Sequence, residues 1–234
     1  MKAKFEIHPI QAHILRFLTF HPEAHFAEMN ELKISTDQYT FHVNSLLDAN
    51  LIEKIKKGLY TLTFKGKEFA NRFDTEKVVI EKQAKISVII GGVKNEKGKK
   101  LFLIQERLKQ PYFGYHGFVS GKIPEGSTPI ETAIRELDEE TRLTAKRFKL
   151  VGLRHKMDYS KEGILLEDKY FFIIKATQLS GKFKNKFEGG SNKWMTREEI
   201  SRLEKLFDGV GETIDYLTGK AFGYTERKFI VSGF

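Results

Sequence analysis

The chain has 234 residues, of which 40% are apolar and 20 are phenylalanine, enough for one large core or two small ones. Cysteine is absent, which excludes disulfides, thiolate zinc sites and a cysteine nucleophile, and no run approaches the ~20 apolar residues that a bilayer-spanning helix needs. The formal charge of +9 is uneven: residues 1–80 carry 11 Lys or Arg against 10 Asp or Glu, so the excess belongs to the remainder, where it suits an anionic ligand as well as it suits a solvated surface. Met1 to Phe20 holds Glu6, His8, Gln11, His13 and Arg16 among its apolar residues instead of a lysine-led leader, and a cytoplasmic protein with no membrane partner is the expectation.

In chain order, His8-Pro9 through Phe20 predicts a helix with Pro9 in an early turn and Ile10, Ile14, Leu15, Phe17 and Leu18 on its apolar face. A short second helix is expected over Phe26 to Leu32, and Ser35 is placed to cap a third, Thr36 to Ala49. In the third helix Phe41, Val43, Leu46 and Leu47 are read as inward, and Gln38, Tyr39, His42 and Asn44 as polar contacts. Leu51 to Ile55 and Leu59 to Thr63 read as strands around Lys56-Lys57-Gly58, and an amphipathic helix from Phe64 to Phe73 closes a domain assigned to residues 1–80. The histidines of this region form no metal-ligand spacing.

This order, and above all LLDANLIEKIKKGLYTLTFKG at residues 46–66, resembles the winged helix-turn-helix domain of bacterial and archaeal regulators. The resemblance implies that Gln38, Tyr39, His42 and Asn44 enter a major groove of duplex DNA, with Lys54, Lys56 and Lys57 near backbone phosphate. The candidate recognition helix has no Lys or Arg, whereas phosphate neutralisation supplies much of protein–DNA affinity. Docking or dimerisation is therefore the competing role.

A charged connection around Asp74 to Lys82 leads to a second domain, residues 83–234. Ile86 to Val93 and Lys100 to Gln105 read as strands about an Asn95-Glu96-Lys97-Gly98 turn, and Phe148 to Met157 and Leu165 to Ala176 as further strands separated by a polar turn from Asp158 to Gly163. Thr196 opens a helix with an acidic first turn that runs to about Phe207; a last helix is expected near Gly211 to Leu217. The apolar tail, Phe229 to Phe234, is available to cover a sheet edge or enter a homodimer interface. Strands flanked by helices predict an α/β fold, an α/β/α sandwich around a mixed sheet.

The densest information lies between the strands, in GKIPEGSTPIETAIRELDEETRL at residues 121–143. Thr128, Pro129 and Glu131 supply the N-cap, the N1 proline and the N3 acid of a capping box, and Ile130, Ala133, Ile134 and Leu137 follow at helical spacing. Glu136, Glu139 and Glu140 then converge on one side of the helix. Like charges within a turn repel by a few tenths of a kcal/mol, while hard oxygen ligands suit Mg²⁺ or Mn²⁺; a solvated acidic face is the alternative.

Gly121, Arg135, Glu136, Leu137, Glu139, Glu140 and Leu143 reproduce G-x13-R-E-L-x-E-E-x-x-L, which closely resembles the signature of the Nudix hydrolases. The resemblance implies that Glu136, Glu139 and Glu140 hold metal or polarise the attacking water, that Arg135 braces the carboxylates, and that the Gly121 backbone positions metal or phosphate. The chain departs from the family at Ser127, where a glutamate is usual, and at Arg142, where a glycine is usual. Glu188, in the loop before Trp194, stands where many similar enzymes carry another metal-binding acid. Arg107 ends the second strand as a plausible phosphate fork, while Phe113, Tyr115, Phe118 and Tyr159 are aromatics available for base stacking or simple packing. The expected chemistry is metal-dependent hydrolysis of a nucleoside diphosphate linked to another moiety, such as ADP-ribose or a nucleotide sugar. A regulator that senses a nucleotide metabolite and binds DNA is the alternative.

Overall fold

The structure, a computed structural model, describes residues 7–73 and 82–231. Residues 74–81 of the connection expected around Asp74 to Lys82, and the last three residues of the apolar tail, lie outside this range. Two compact units divide at Lys82/Gln83, and each is described by itself.

The first unit runs α1 (Pro9–Phe20), β1 (Ala24–His25), α2 (Phe26–Met29), α3 (Thr36–Asp48), β2 (Ile52–Lys56), β3 (Leu59–Leu62) and α4 (Phe64–Ala70). Its antiparallel sheet has the order β1-β3-β2. Pro9 sits at the start of α1, where its missing N–H costs nothing, and the His8 N–H donates to Gln11 Oε1 at 3.0 Å while His8 Nδ1 accepts from Ile10 N–H at 3.2 Å. Ser35 precedes α3 but makes no side-chain capping bond.

The face of α3 is turned relative to the sequence expectation. Tyr39, His42, Val43 and Leu46 are buried, at the i, i+3, i+4, i+7 phase of one helical stripe. Tyr39 meets Phe26 edge-on at 5.0 Å and His42 stacks on His8 at 4.4 Å, so neither is presented to a groove. Burial raises the Tyr39 hydroxyl above its ordinary range and lowers the His42 imidazole. Phe41, expected inside, lies one residue off that stripe and is 68% exposed. Gln38, Asn44, Lys54, Lys56 and Lys57 are exposed.

The second unit begins with β4 (Lys85–Glu96) and β5 (Lys99–Arg107), joined by Lys97-Gly98 with both φ positive, at 49° and 76°, the two-residue turn that matches strand twist. It continues with β6 (His116–Gly117), β7 (Val119–Lys122), α5 (Pro129–Thr141), β8 (Leu143–Tyr159), β9 (Leu165–Gly181), β10 (Lys186–Phe187), β11 (Gly190–Met195), α6 (Arg197–Ser201), α7 (Val210–Thr218) and β12 (Gly223–Ile230). The sheet is mixed, in the order β10-β11-β5-β4-β9-β8-β12: β4 runs parallel to β9 and β12 to β8, and the other pairings are antiparallel. β7 pairs with the first half of β4 and β5 with its end, so this one strand serves two partners on the same side.

Strand alternation splits the apolar residues into two cores. Val88, Ile90, Leu103 and Ile174 pack with Ala133 and Leu137 of α5; Phe102, Ile104 and Ile173 pack with Ile200 of α6 and Ile214 and Leu217 of α7. These are the layers of a helix–sheet–helix sandwich. The α6 helix ends at Ser201, well short of Phe207, while Phe229 and Ile230 of the apolar tail belong to β12, which covers the β8 edge of the sheet. Among the described residues no helix is long and apolar enough to cross a membrane.

Candidate active site

The acidic helix forms as its sequence dictates. Thr128 Oγ1 accepts from Glu131 N–H at 3.2 Å and Glu131 Oε2 accepts from Thr128 N–H at 2.8 Å, a complete capping box. These bonds hold the Glu131 carboxyl below its usual range. At the other end Arg142 adopts the left-handed conformation, φ 56° and ψ 28°, so the geometry a glycine would favour is retained without one.

Between these caps the helix presents Glu136 and Glu140 to a cleft of about 770 Å³ that β4, β5, β7, β8 and β9 also line. Gly121, on β7, lies against Glu136: a Cβ there would stand 2.1 Å from its Cδ and 2.2 Å from its Oε1. The glycine is required for space, since it is not among the positive-φ residues. Arg135 joins two of the acids, donating from Nη2 to Glu136 Oε1 at 2.7 Å and from Nη1 to Glu139 Oε2 at 3.0 Å. Glu139 is exposed and does not line the cleft.

Glu140 is held differently. Gln105 Nε2 donates to its Oε2 at 2.9 Å, while Asn192 Nδ2 donates to the backbone oxygens of Glu140 at 2.8 Å and Lys184 at 3.1 Å. Asn192 thereby satisfies the Glu140 carbonyl, one of those at the C-terminal end of α5 that the helix leaves without partners. Burial pushes the Glu140 carboxyl up, Gln105 opposes this, and the charge of Glu136 adds to the rise. Gln105 and Asn192 escaped the sequence reading. Strand alternation offered a signal for the first, because Gln105 shares the cleft face with Arg107 two residues on.

Arg107 lines the cleft, but its Nε donates to Pro111 O at 2.5 Å and its Nη2 to Gln110 O at 3.0 Å, so it braces the loop that closes the cleft. Phe118 is buried at the cleft wall, with Phe171 and Phe207 among the other aromatic walls. Tyr159 is not there: it follows Asp158 on β8, faces the opposite way, and has the Lys228 ammonium 5.9 Å above its ring. Glu188 is likewise not in the cleft; it sits exposed in the tight turn between β10 and β11, which directs it to solvent. Phe113 is exposed, and Tyr115 packs on Tyr112 and Phe207.

As a donor set, Glu136, Glu140 and Glu139 with nearby backbone oxygen fit a hard divalent cation in kind. Among the described residues no three acidic or histidine side chains already enclose a common point, because Arg135 occupies the space between Glu136 and Glu139. Mutual repulsion at Glu140 is the kind of strain that a dication offsets.

Comparison with known proteins agrees with this geometry. An uncharacterized Nudix hydrolase of Listeria monocytogenes is 32% identical over 124 residues, spanning 52% of this chain and 68% of that protein. A MutT mutator protein of Bacillus halodurans superposes with a TM-score of 0.51 at 22% identity, over 62% of this chain and 90% of its own. The NUDIX domain of Shewanella oneidensis NrtR, solved with ADP ribose, superposes with a TM-score of 0.50 at 16% identity, over 63% of this chain and 94% of its own; both likenesses are of fold. Residues 84–217 match the NUDIX domain, and the chain belongs to the Nudix hydrolases, a family of pyrophosphohydrolases.

Proposed function

We propose that this chain cleaves the pyrophosphate of a nucleoside diphosphate linked to another moiety, ADP-ribose or a nucleotide sugar, with Mg²⁺ or Mn²⁺ as cofactor. The observation that carries the reading is the placement of Glu136 and Glu140 in one cleft with Gly121 and the cations Lys109, Lys122 and Arg135. When bound, the metal would neutralise phosphate oxygens and make the attacking water more acidic. Glu136, Glu139 and Glu140 would hold it. Lys109 and Lys122 draw the diphosphate in, and the Arg107-braced loop walls the cleft. The raised Glu140 carboxyl, fixed by Gln105, is placed to orient or accept a proton from water. A water oxygen bonds to one phosphorus as the bridging P–O bond breaks, giving two phosphate monoesters. Turnover of ADP-ribose, dinucleotides, nucleotide sugars and nucleoside triphosphates with Mg²⁺, Mn²⁺ or EDTA tests this. Metal-dependent hydrolysis of the first or third class supports it, and no turnover of any by folded protein overturns it.

The first unit favours a second role. Its three helices, antiparallel hairpin and closing helix follow the order of a winged helix-turn-helix domain, with Lys54, Lys56 and Lys57 exposed on the hairpin. Gln38 and Asn44 are the polar α3 side chains left to face duplex DNA once Tyr39 and His42 are buried. Selection from random duplexes, followed by salt titration with and without ADP-ribose, distinguishes the possibilities. Sequence enrichment whose affinity responds to ligand supports a metabolite-sensing regulator; weak binding that vanishes near physiological salt leaves docking or dimerisation.

A further inference from the structure

The sheet of the second unit ends on β12, a strand that lies beyond the NUDIX match and, among the described residues, pairs with β8 alone. Its register against β8 runs without a bulge from Gly223 to Ile230, and just past its end the Val231 N–H donates to Tyr159 O at 2.9 Å. Backbone groups alternate in direction along a strand. The amides of Thr225, Arg227 and Phe229 therefore turn to β8 as that of Val231 does, and those of Tyr224, Glu226, Lys228 and Ile230 turn outward. An open edge of this length is a template for another strand.

The same outward residues share one face of the sheet, the face turned away from the cleft. Glu226 Oε2 lies 3.4 Å from His155 Nδ1 and accepts from the Tyr224 hydroxyl at 3.0 Å, and the Lys228 ammonium stands 5.9 Å above the Tyr159 ring. Phe229 meets Lys156, a cleft residue, on the other side. Tyr224 and Ile230 are 57% and 76% exposed, and Glu226 and Lys228 between them are exposed as well. Along the strand this face reads aromatic, acid, base, aliphatic.

That pattern is its own complement. When two copies of β12 pair antiparallel about a two-fold axis at Arg227, Glu226 stands opposite the partner's Lys228 and Tyr224 opposite the partner's Ile230, and symmetry makes each pair twice. These are the outward residues, so each pair exchanges both of its backbone hydrogen bonds, and opposite charges and aromatic–aliphatic contacts across strands are favourable. Sliding one strand by two residues sets Glu226 against its own copy, or Lys228 against its own, so the charges select a single register. On the other face Arg227 meets its copy, but each guanidinium is held by Glu212 of its own chain at 2.7 Å. A strand from another protein would need the same ordered pattern, whereas a second copy carries it by identity. We infer that β12 is the contact of an isologous homodimer whose two sheets join edge to edge.

The test is the mass of the full chain in solution, by sedimentation equilibrium over a range of concentration. The wild type should dimerise. Glu226→Lys alone, or Lys228→Glu alone, places like charges opposite each other in both pairs and should raise the dimer Kd by at least about tenfold. Mixing the two variants recreates an opposite-charge pair at both places, so a heterodimer should form with a Kd within about threefold of the wild-type value. If either variant fails to fold, shown by its melting profile, Ile230→Pro takes its place: it removes an outward N–H and none directed at β8, and it should weaken the dimer by a similar factor. A monomer at every concentration overturns the proposal. So does a dimer that none of these substitutions weakens, which would put the contact elsewhere in the chain, and so does a loss that mixing the two folded charge variants does not restore.

Discussion

At one end of the cleft Glu136 and Glu139 share a single guanidinium, and Glu140 has a neutral amide in place of a cation. At the other end Asp158 and Glu167 each face an ammonium within 3 Å. The protonation behaviour follows. Burial and its acidic neighbours raise the Glu140 carboxyl, whereas for Glu167 burial is outweighed by Lys169 and Lys85, which hold it below its ordinary range. Where charge is left unbalanced a cation has a place to bind and a proton has somewhere to go; where each carboxylate has its ammonium, the side chains remain fixed donors and acceptors.

The largest expected break in this comparison is at the unbalanced end. Glu139→Gln or Glu140→Gln should lower kcat by ~10² or more, because each removes a charge from a site whose rate depends on metal-assisted charge stabilisation. Glu139 lies outside the cleft wall, so a loss of activity there also reports whether Arg135 lets it swing in. Steady-state rates for both variants within twofold of wild type would remove the site.

Gly121→Ala sharpens the point. The atoms nearest the added methyl are Cδ, Oε1 and Cγ of Glu136, a flexible side chain, so the fold should accept it with little change in Tm. Displacing that carboxylate should still cost about tenfold in kcat/KM, an amount common for a misplaced group near the reacting centre. Unchanged kinetics would mean that the position of Glu136 is unimportant; a large fall in Tm would mean that backbone, not the side chain, had moved.

The acidic helix was legible because its information is local: a capping box, an N1 proline and a fixed spacing of acids lie within one short segment. The α3 helix shows the limit. Its apolar stripe runs through Tyr39 and His42, residues that look polar in isolation, and only tertiary packing against His8 and Phe26 puts them inside. The paired end of the cleft was lost for another reason. Asp158 and the residues after it read as a turn, yet β8 continues to Tyr159, with Lys156 and Tyr112 both donating to Asp158 Oδ2. Asn192 and Glu140 are far apart in sequence, and no local pattern couples them.

A smaller effect is expected at the end of the acidic helix. Arg142 holds φ 56° against the preference of a side chain with a Cβ, and its ion pair with Asp138 spans 3.6 Å between half-exposed groups, a contact worth little. Arg142→Gly should therefore raise stability by about 1 kcal/mol without altering kcat, measured as a higher urea midpoint at constant slope. A lower midpoint would show that the Asp138 pair outweighs the backbone strain.

The smallest effect is expected at Ser127, which precedes the helix N-cap and donates its N–H to Pro124 O at 3.1 Å. Since that bond is made by the backbone, Ser127→Glu keeps it. The new carboxylate would stand near the positive end of the α5 dipole, an arrangement worth a few tenths of a kcal/mol (about 0.3 to 1) at an exposed site. It would also restore the acid usual in the family, at a position peripheral to Glu136 and Glu140. The rate should stay within about threefold of wild type or rise, and the profile of kcat against Mn²⁺ concentration should shift to lower concentration if the added charge helps gather metal. A loss beyond tenfold would show that the serine belongs to a local network which the glutamate breaks, and the unbalanced charge at this end of the cleft would then be set by more than Glu136, Glu139 and Glu140.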